Sequence, residues 1–215
     1  GIRTTNTRLK QLCTDKTTPR NRDEEEIMGY RDVLNTIHEN YEYIPIRSNY
    51  ILQLHRDLYK YSEKNIGGNF KNTQNYISAI DGDGNEFVLF TPLAPYEVPT
   101  AINKLCEGYN AAVSAQDIDA LILIPIFIHD FLCIHPFNDG NGRMSRLLMT
   151  LLLYRSGYVV GKYISLESKI AKNKNLYYKA LEKCQHGWHD NKEDPSSFIK
   201  YLLKIILAAY RDFED

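Results

Sequence analysis

The stretch from His135 to Arg146 carries the side chains of this chain that are best suited to chemistry. It reads HPFNDGNGRMSR and holds a histidine, an aspartate, two glycines and two arginines. Histidine can act as a general base near neutral pH because its ordinary pKa is about 6.5. Carboxylate oxygens suit Mg²⁺ beside phosphates, and guanidinium groups bind phosphates. We expect this stretch to bind a magnesium-bound triphosphate and to deprotonate an attacking hydroxyl group.

The backbone of this stretch should form a turn between two helices. Pro136 disfavours helical geometry at His135, so the preceding helix should end there. Gly140 and Gly142 allow a close backbone approach to a ligand, at the start of the next helix, where free N–H groups and the helix dipole favour phosphate. Arg143 and Arg146, three residues apart, should face the same way on that helix.

The elements around this turn are predicted to be helices, with one hairpin. Apolar spacing and capping residues predict helices over about 23–40, 51–61, 98–114, 117–134, 141–156, 175–186 and 195–210, with Asn21 or Asp23 capping the first and Asp117 the fourth. Tyr76-Ile77 and Phe87 to Phe90 flank a Gly-rich turn and predict the hairpin. We expect an all-α, compact helical bundle with one β-hairpin, in which residues 1–45 pack on a core of residues 46–215.

Composition excludes several classes of function. A formal net charge of -1 gives no bulk reason for binding nucleic acid or an anionic membrane. The most apolar run, Leu121 to Ile128, is too short to span a bilayer. Cys106 and Cys133 lie in apolar segments and should be buried reduced thiols, which favours a reducing compartment, the cytoplasm. No secretory signal is expected in the polar start of the chain.

The sequence of residues 135–146 resembles the motif of a known protein family. It is similar to the Fic motif, His-Pro-Phe-x-[Asp/Glu]-Gly-Asn-Gly-Arg-x-x-Arg, and has every fixed position. Segment 73–77 looks like the family's flap strand, with Lys71 where Arg is common, and segment 177–181 looks like its Tyr-Tyr segment. The likeness extends over about 46–207. It implies a helical Fic fold and transfer of AMP from ATP to a hydroxyl side chain of a target protein, with autoadenylylation.

The resemblance also implies roles for individual residues. His135 would be the catalytic base, and Asp139 would hold Mg²⁺ on the α- and β-phosphates. The remaining nucleotide-binding residues would be, along the motif, Gly140, Asn141, Gly142, Arg143 and Arg146; on the flap, Ile77 and Ser78; and around the adenine, Tyr177, Tyr178 and Gln185. A target protein would dock on the flap at about Gln74–Ile80 by main-chain pairing. Homo-oligomers are compatible with this interpretation.

Two alternatives remain open at the level of sequence. A Fic-type enzyme could move another group, such as UMP, phosphate or phosphocholine, or remove AMP. A regulatory module could instead sense ATP without turnover. Many Fic proteins also carry an inhibitory glutamate that pairs with the second motif arginine. Because Gly1 to Thr4 resemble the residues on the C-terminal side of that glutamate, we expect the chain to begin just after it, leaving Arg146 unpaired.

Overall fold

A computed structural model describes residues 5–14, 17–80 and 82–214. Gly1 to Thr4, which resemble the sequence after an inhibitory glutamate, lie outside the described residues. The described elements are α1 Asn6–Cys13, α2 Arg22–Asn40, α3 Ser48–Leu58, β1 Ile77–Ile80, β2 Glu86–Phe90, α4 Val98–Ala115, α5 Ala120–Ile134, α6 Asn141–Arg155, α7 Leu166–Lys172, α8 Lys174–Gln185 and α9 Ser196–Glu214. Four short 3-10 turns lie at Tyr41–Tyr43, Pro95–Glu97, Val160–Lys162 and Trp188–Asp190. The predicted mostly helical fold with one hairpin is confirmed.

The central pair, α5 and α6, provides much of the core and positions the motif between its two members. Most side chains of both helices are buried, since they are apolar on nearly every face. Asp119 caps α5 by accepting a hydrogen bond from the Leu121 N–H, so the prediction of Asp117 as the cap was wrong. Asp119 takes this place because it directly precedes the first helical residue in an extended conformation.

The N-terminal part packs α2 against α3 and α6. Asn21 caps α2 by accepting from the Glu24 N–H, and acidic residues fill the first turn, where the helix dipole favours them. A buried salt bridge between Arg8 Nη2 and Glu24 Oε2, 2.8 Å long, joins α1 to α2. Salt bridges from Arg22 to Asp139 and from Glu26 to Arg143 hold one face of α2 next to the start of α6.

The hairpin is antiparallel and stands beside the motif. Ile77 lies opposite Phe90 and Ser78 opposite Val88, so a bulge falls between the first two residues of β1. Much of its apolar surface is open, with Ile80 73% and Val88 53% exposed. The hairpin therefore presents apolar surface that a partner could cover, and it contributes little to the core.

Two predictions from composition concern the burial of cysteines and the absence of a membrane-spanning segment. Cys106 and Cys133 are buried free thiols as predicted, Cys184 is a third, and Cys13 is exposed. Across residues 5–14, 17–80 and 82–214, every helix is too short or too polar to span a membrane.

Candidate active site

His135 sits at the point where α5 ends. Its backbone takes the left-handed conformation, with φ 51° and ψ 63°, and its N–H donates to the Phe131 carbonyl. The ring Nδ1 lies 3.1 Å from the Leu132 carbonyl oxygen. Because a carbonyl can only accept, Nδ1 carries the proton, and Nε2 is left as the basic nitrogen. Burial, aided by the positive charge of Lys71, lowers the pKa of His135 to about 4, so the ring is neutral at neutral pH.

The loop after His135 is anchored by Phe137 and Asn141. The Phe137 ring is fully buried and stacks on His55 with centroids 3.7 Å apart. The Asn141 side chain accepts from the Phe137 N–H at 2.9 Å and donates to its carbonyl at 2.7 Å. The side chain of Asn141 therefore closes the loop, and only its backbone remains for an anion.

His55 on α3 supports the loop, although its position in the sequence did not predict this role. Its Nδ1 accepts from the Gly68 N–H, so Nε2 carries the proton and donates to the Asp139 carbonyl, 3.0 Å away. Burial lowers the pKa of His55 to about 4, which keeps this pattern fixed in the neutral form. A histidine on an apolar helix face carries no signal of such a contact in sequence, because its partner is 84 residues away.

The start of α6 has the geometry expected of an anion site. Gly140 is its N-cap with φ +87°, and a Cβ there would come within 3.0 Å of the Tyr59 hydroxyl. Only glycine meets both conditions. Since Gly140 has no side chain to cap the helix, the N–H groups of the first turn remain available to a ligand.

Asp139 is the motif carboxylate that the sequence predicts as a metal ligand. Partial burial opposes its ionisation, but the Arg143 guanidinium and the Gly140 N–H hold its pKa below the usual value. Arg22 Nη2 lies 3.1 Å from Oδ2, and Lys64 Nζ lies 4.0 Å from it. In the described part of the chain no three His, Cys, Asp or Glu residues group as a metal site. An ionised lone carboxylate fits Mg²⁺, which completes its shell with phosphate oxygens and water.

The two motif arginines have different surroundings. Arg143 donates from Nη2 to the Tyr59 hydroxyl at 2.7 Å, and its Nη1 lies 3.2 Å from Glu26 Oε2. That Nη1 is buried and makes no well-aligned hydrogen bond within the described residues. A buried donor without an aligned acceptor is costly, so an anion that reaches it would be stabilised.

Arg146 is paired, contrary to the expectation from the sequence. Its Nε donates to both carboxylate oxygens of Glu167, at 2.9 and 2.8 Å. Tyr30 on α2 donates its hydroxyl to the same carboxylate. Arg146 was expected to be unpaired because the chain has no complete copy of the inhibitory motif whose glutamate pairs with this arginine. Glu167 lies outside any such motif, on α7, a helix too short to be predicted from apolar spacing.

A cavity of about 610 Å³ opens between the hairpin and helices α5, α6 and α8. The predicted site residues that line it are His135, Gly142, Arg146, Ile77, Ser78, Tyr177, Tyr178 and Gln185, whereas Asp139, Gly140, Asn141 and Arg143 lie outside its lining. The Tyr177 ring is buried and meets that of Tyr178 edge to face, with centroids 5.4 Å apart. The cavity thus brings together a histidine, an arginine and an aromatic wall.

The fold and the site together define a class of protein, namely helical domains in which a hairpin covers a cavity next to a glycine-rich helix start. A family model described as the Fic/DOC family matches residues 45–153, just over half of the 215-residue chain. The chain belongs to the Fic/DOC family.

Curated relatives are adenylyltransferases of greater length. Protein adenylyltransferase fic-1 of Caenorhabditis elegans is 28% identical over 163 residues, which cover 76% of this chain and 28% of the relative. Protein adenylyltransferase Fic of Nematostella vectensis is 26% identical over 190 residues, covering 83% of this chain and 37% of the relative. The chain therefore spans less than half of the length of either relative.

Solved structures share the fold. A Fic domain containing signaling protein from Bacteroides thetaiotaomicron matches with a TM-score of 0.76 at 25% identity, covering 97% of this chain and 79% of that one. The BepC protein of Bartonella tribocorum, solved with bound AMPPNP, matches with a TM-score of 0.59 at 14% identity, covering 94% of this chain and 87% of that one. The second likeness is one of fold alone.

Proposed function

We propose that this chain transfers AMP from ATP to a hydroxyl side chain of a target protein. The observation that carries the proposal is the shared cavity, which His135 and Arg146 line from one side and the hairpin from the other. A base for a hydroxyl, a cation for phosphates and an edge for a polypeptide thus meet at one place. The adenylyltransferase relatives support the same interpretation.

The proposed reaction uses the neutral His135 ring, in which Nδ1 carries the proton and Nε2 is free to accept one. The neutral Nε2 takes the proton of the target hydroxyl as its oxygen attacks the α-phosphate. The bond from the α-phosphorus to the bridging oxygen of the β-phosphate breaks, and pyrophosphate leaves. The target keeps AMP as a phosphodiester on its hydroxyl oxygen. The left-handed backbone at His135 fixes where the ring enters the cavity.

The phosphates would be bound by the start of α6 and its arginines. The free N–H groups of the first turn and the Arg143 guanidinium would meet the phosphate oxygens next to Asp139. Arg146 would bind the terminal phosphate in competition with the Glu167 carboxylate. Mg²⁺, held by Asp139 and phosphate oxygens, would supply positive charge that offsets the charge of the α- and β-phosphates.

The adenine and the target would occupy the remaining walls. Tyr177, Tyr178 and Gln185 would border the base, and Ile77 and Ser78 would separate it from the target. The target would add an extended segment to the hairpin along Gln74–Ile80 by main-chain hydrogen bonds. The buried free thiols favour action in a reducing compartment such as the cytoplasm.

The position of the label in ATP tests this proposal. Protein incubated with Mg²⁺ and ATP labelled at the α-phosphate should gain label on itself and on targets in a lysate, whereas ATP labelled at the γ-phosphate should give none. Label from the γ-phosphate would indicate phosphate transfer. An excess of unlabelled CTP, GTP or UTP should compete poorly if adenine is the preferred base.

A further inference from the structure

We propose that Lys71 and Asn75 act together as positioning residues that hold His135 in its left-handed conformation. This inference rests on the proposed function, because it assigns a role toward the base of that reaction. Both residues precede the hairpin and are distant in sequence from the motif. Their contacts with the loop are made almost entirely to backbone carbonyls.

Four successive carbonyls of the loop accept hydrogen bonds from this pair. Lys71 Nζ donates to Ile134 O at 3.4 Å, and the Lys71 N–H donates to Pro136 O at 2.8 Å. Asn75 Nδ2 donates to His135 O at 3.3 Å and to Phe137 O at 3.0 Å. Lys71 Nζ also donates to Asn75 Oδ1 at 2.7 Å, which orients the amide so that its NH₂ faces the loop.

The conformation that these bonds enclose is an unfavourable one. A residue with a side chain in the left-handed region costs about 1–3 kcal/mol and persists only where its surroundings impose it. His135 has φ 51°, and the carbonyls on both sides of its Cα accept bonds from Lys71 or Asn75. The ammonium group also lies at the C-terminal end of α5, where the helix dipole favours a cation.

The burial of Lys71 indicates a role beyond packing. Only 3% of the residue is exposed, and none of the described ion pairs includes its Nζ. Burial lowers the pKa of Lys71 to about 8, opposed by the charge of Glu97 on the turn before α4. A buried cation whose hydrogen bonds all go to neutral oxygens is costly, and a hydrophobic side chain of similar length would avoid that cost. The ammonium group instead donates to Ile134 O, directly before His135, and to Asn75 Oδ1, whose amide group donates to His135 O and Phe137 O.

The same segment connects the loop to the hairpin. Asn75 lies two residues before β1, and Gln74 Nε2 donates to both Asn75 O and Pro92 O, each at 3.0 Å. Gln74 therefore links the segment before β1 to the segment after β2, directly beside Asn75, which bonds the His135 carbonyl. A target segment that pairs with the hairpin would thus dock on a support shared with the base.

The test compares Lys71→Met, which removes the Nζ donor and keeps the backbone N–H bond to Pro136 O, with Lys71→Arg, which keeps a side-chain donor. Lys71→Met should lower kcat for AMP transfer by about 100-fold, because a shift of about 1 Å at a catalytic group has such an effect. The Kd for ATP should stay within about twofold, since ground-state binding is untouched. Lys71→Arg should recover most of kcat. Lys104→Met, the same change at an exposed position of α4, should leave both unchanged.

Hydrogen exchange provides a readout that does not depend on transfer. In Lys71→Met and in Asn75→Ala, the amides of His135, Phe137 and Asn138 should exchange faster than in the wild type, with exchange in α6 unchanged. Absence of label transfer in the wild type would refute the proposed function, and the exchange result would still decide the positioning role. Unchanged loop exchange, or an equal loss of ATP affinity and kcat in Lys71→Met, would overturn the inference.

Discussion

The Nε atom of Arg146 lies 2.9 and 2.8 Å from the two carboxylate oxygens of Glu167, so a carboxylate of the same chain pairs with the second arginine of the motif. The Tyr30 hydroxyl donates to the same carboxylate and ties it to α2. A terminal phosphate that binds the same guanidinium group competes with this carboxylate for its positive charge. The pair is partly open to water, with 25% of the Arg146 and 39% of the Glu167 side chain exposed. The competition is therefore modest in energy.

Replacing Glu167 by glutamine should strengthen ATP binding. The variant keeps the shape of the side chain but removes the competing charge, so the Kd for ATP should fall by about threefold, the scale of a partly exposed ion pair. Titration calorimetry at two ionic strengths measures this, and the gain should shrink at high salt. Glu107→Gln on the exposed face of α4 serves as the control. Weaker binding in Glu167→Gln would show that the carboxylate orients Arg146 for ATP instead.

A second internal contact involves α2 and Asp139. Arg22, Glu26 and Tyr30 are spaced four residues apart along that helix; Arg22 contacts Asp139, and Glu26 contacts Arg143. Arg22→Ala removes a cation next to the carboxylate, so half-maximal activity should need less Mg²⁺, by about twofold for so exposed a pair. Magnesium titrations of transfer activity test this, with Arg211→Ala on the far end of α9 as control. An increased requirement for Mg²⁺ would contradict it.

The pH dependence of transfer should reflect the burial of His135. The base acts in its neutral form, and burial lowers its pKa to about 4. Activity, measured as kcat/KM, should therefore rise as the pH increases through about 4 and be level from about pH 5 upward, well below the usual histidine pKa of about 6.5. Asp139, whose pKa is also lowered, stays ionised over this plateau. An acid limb centred near pH 6.5 would refute the assignment of a buried neutral base.

The Asn141 side chain should matter for stability more than its place in the motif suggests. Asn141→Ala leaves the buried Phe137 N–H without its acceptor, which costs about 1–3 kcal/mol, whereas the Phe137 carbonyl keeps the hydrogen bond from Asn75 Nδ2. Denaturant unfolding should show a loss of this order, and Asn103→Ala at an exposed site should show little change. Full stability with lost ATP binding would instead make Asn141 a direct ligand.

Local sequence rules predicted most helices because they act over a few residues. The Asn21 cap, the hairpin and the burial of α6 each follow from neighbours in sequence. The short helices α1 and α7 were not predicted, since each has too few turns to show apolar spacing. The cap at Asp119 rather than Asp117 was missed because two aspartates precede the same apolar run.

The composition of the motif could be read from the sequence, but its partners could not. His135 and Arg146 were identified because the motif is contiguous. Glu167, His55 and Lys71 were not assigned their contacts, because each reaches the motif across a long separation in sequence. Such contacts depend on how helices pack, and one residue of shift in a loop would change them.

The most direct test of the central claim is to compare His135→Ala with the wild type in two measurements on the same samples, the Kd for ATP and the transfer of label from the α-phosphate of ATP. His186→Ala, an exposed histidine outside the lining of the cavity, serves as the control. We predict that His135→Ala keeps ATP binding and loses transfer, while His186→Ala keeps both. Equal transfer by His135→Ala and the wild type, or ATP binding without transfer in either, would contradict the assignment of His135 as the catalytic base.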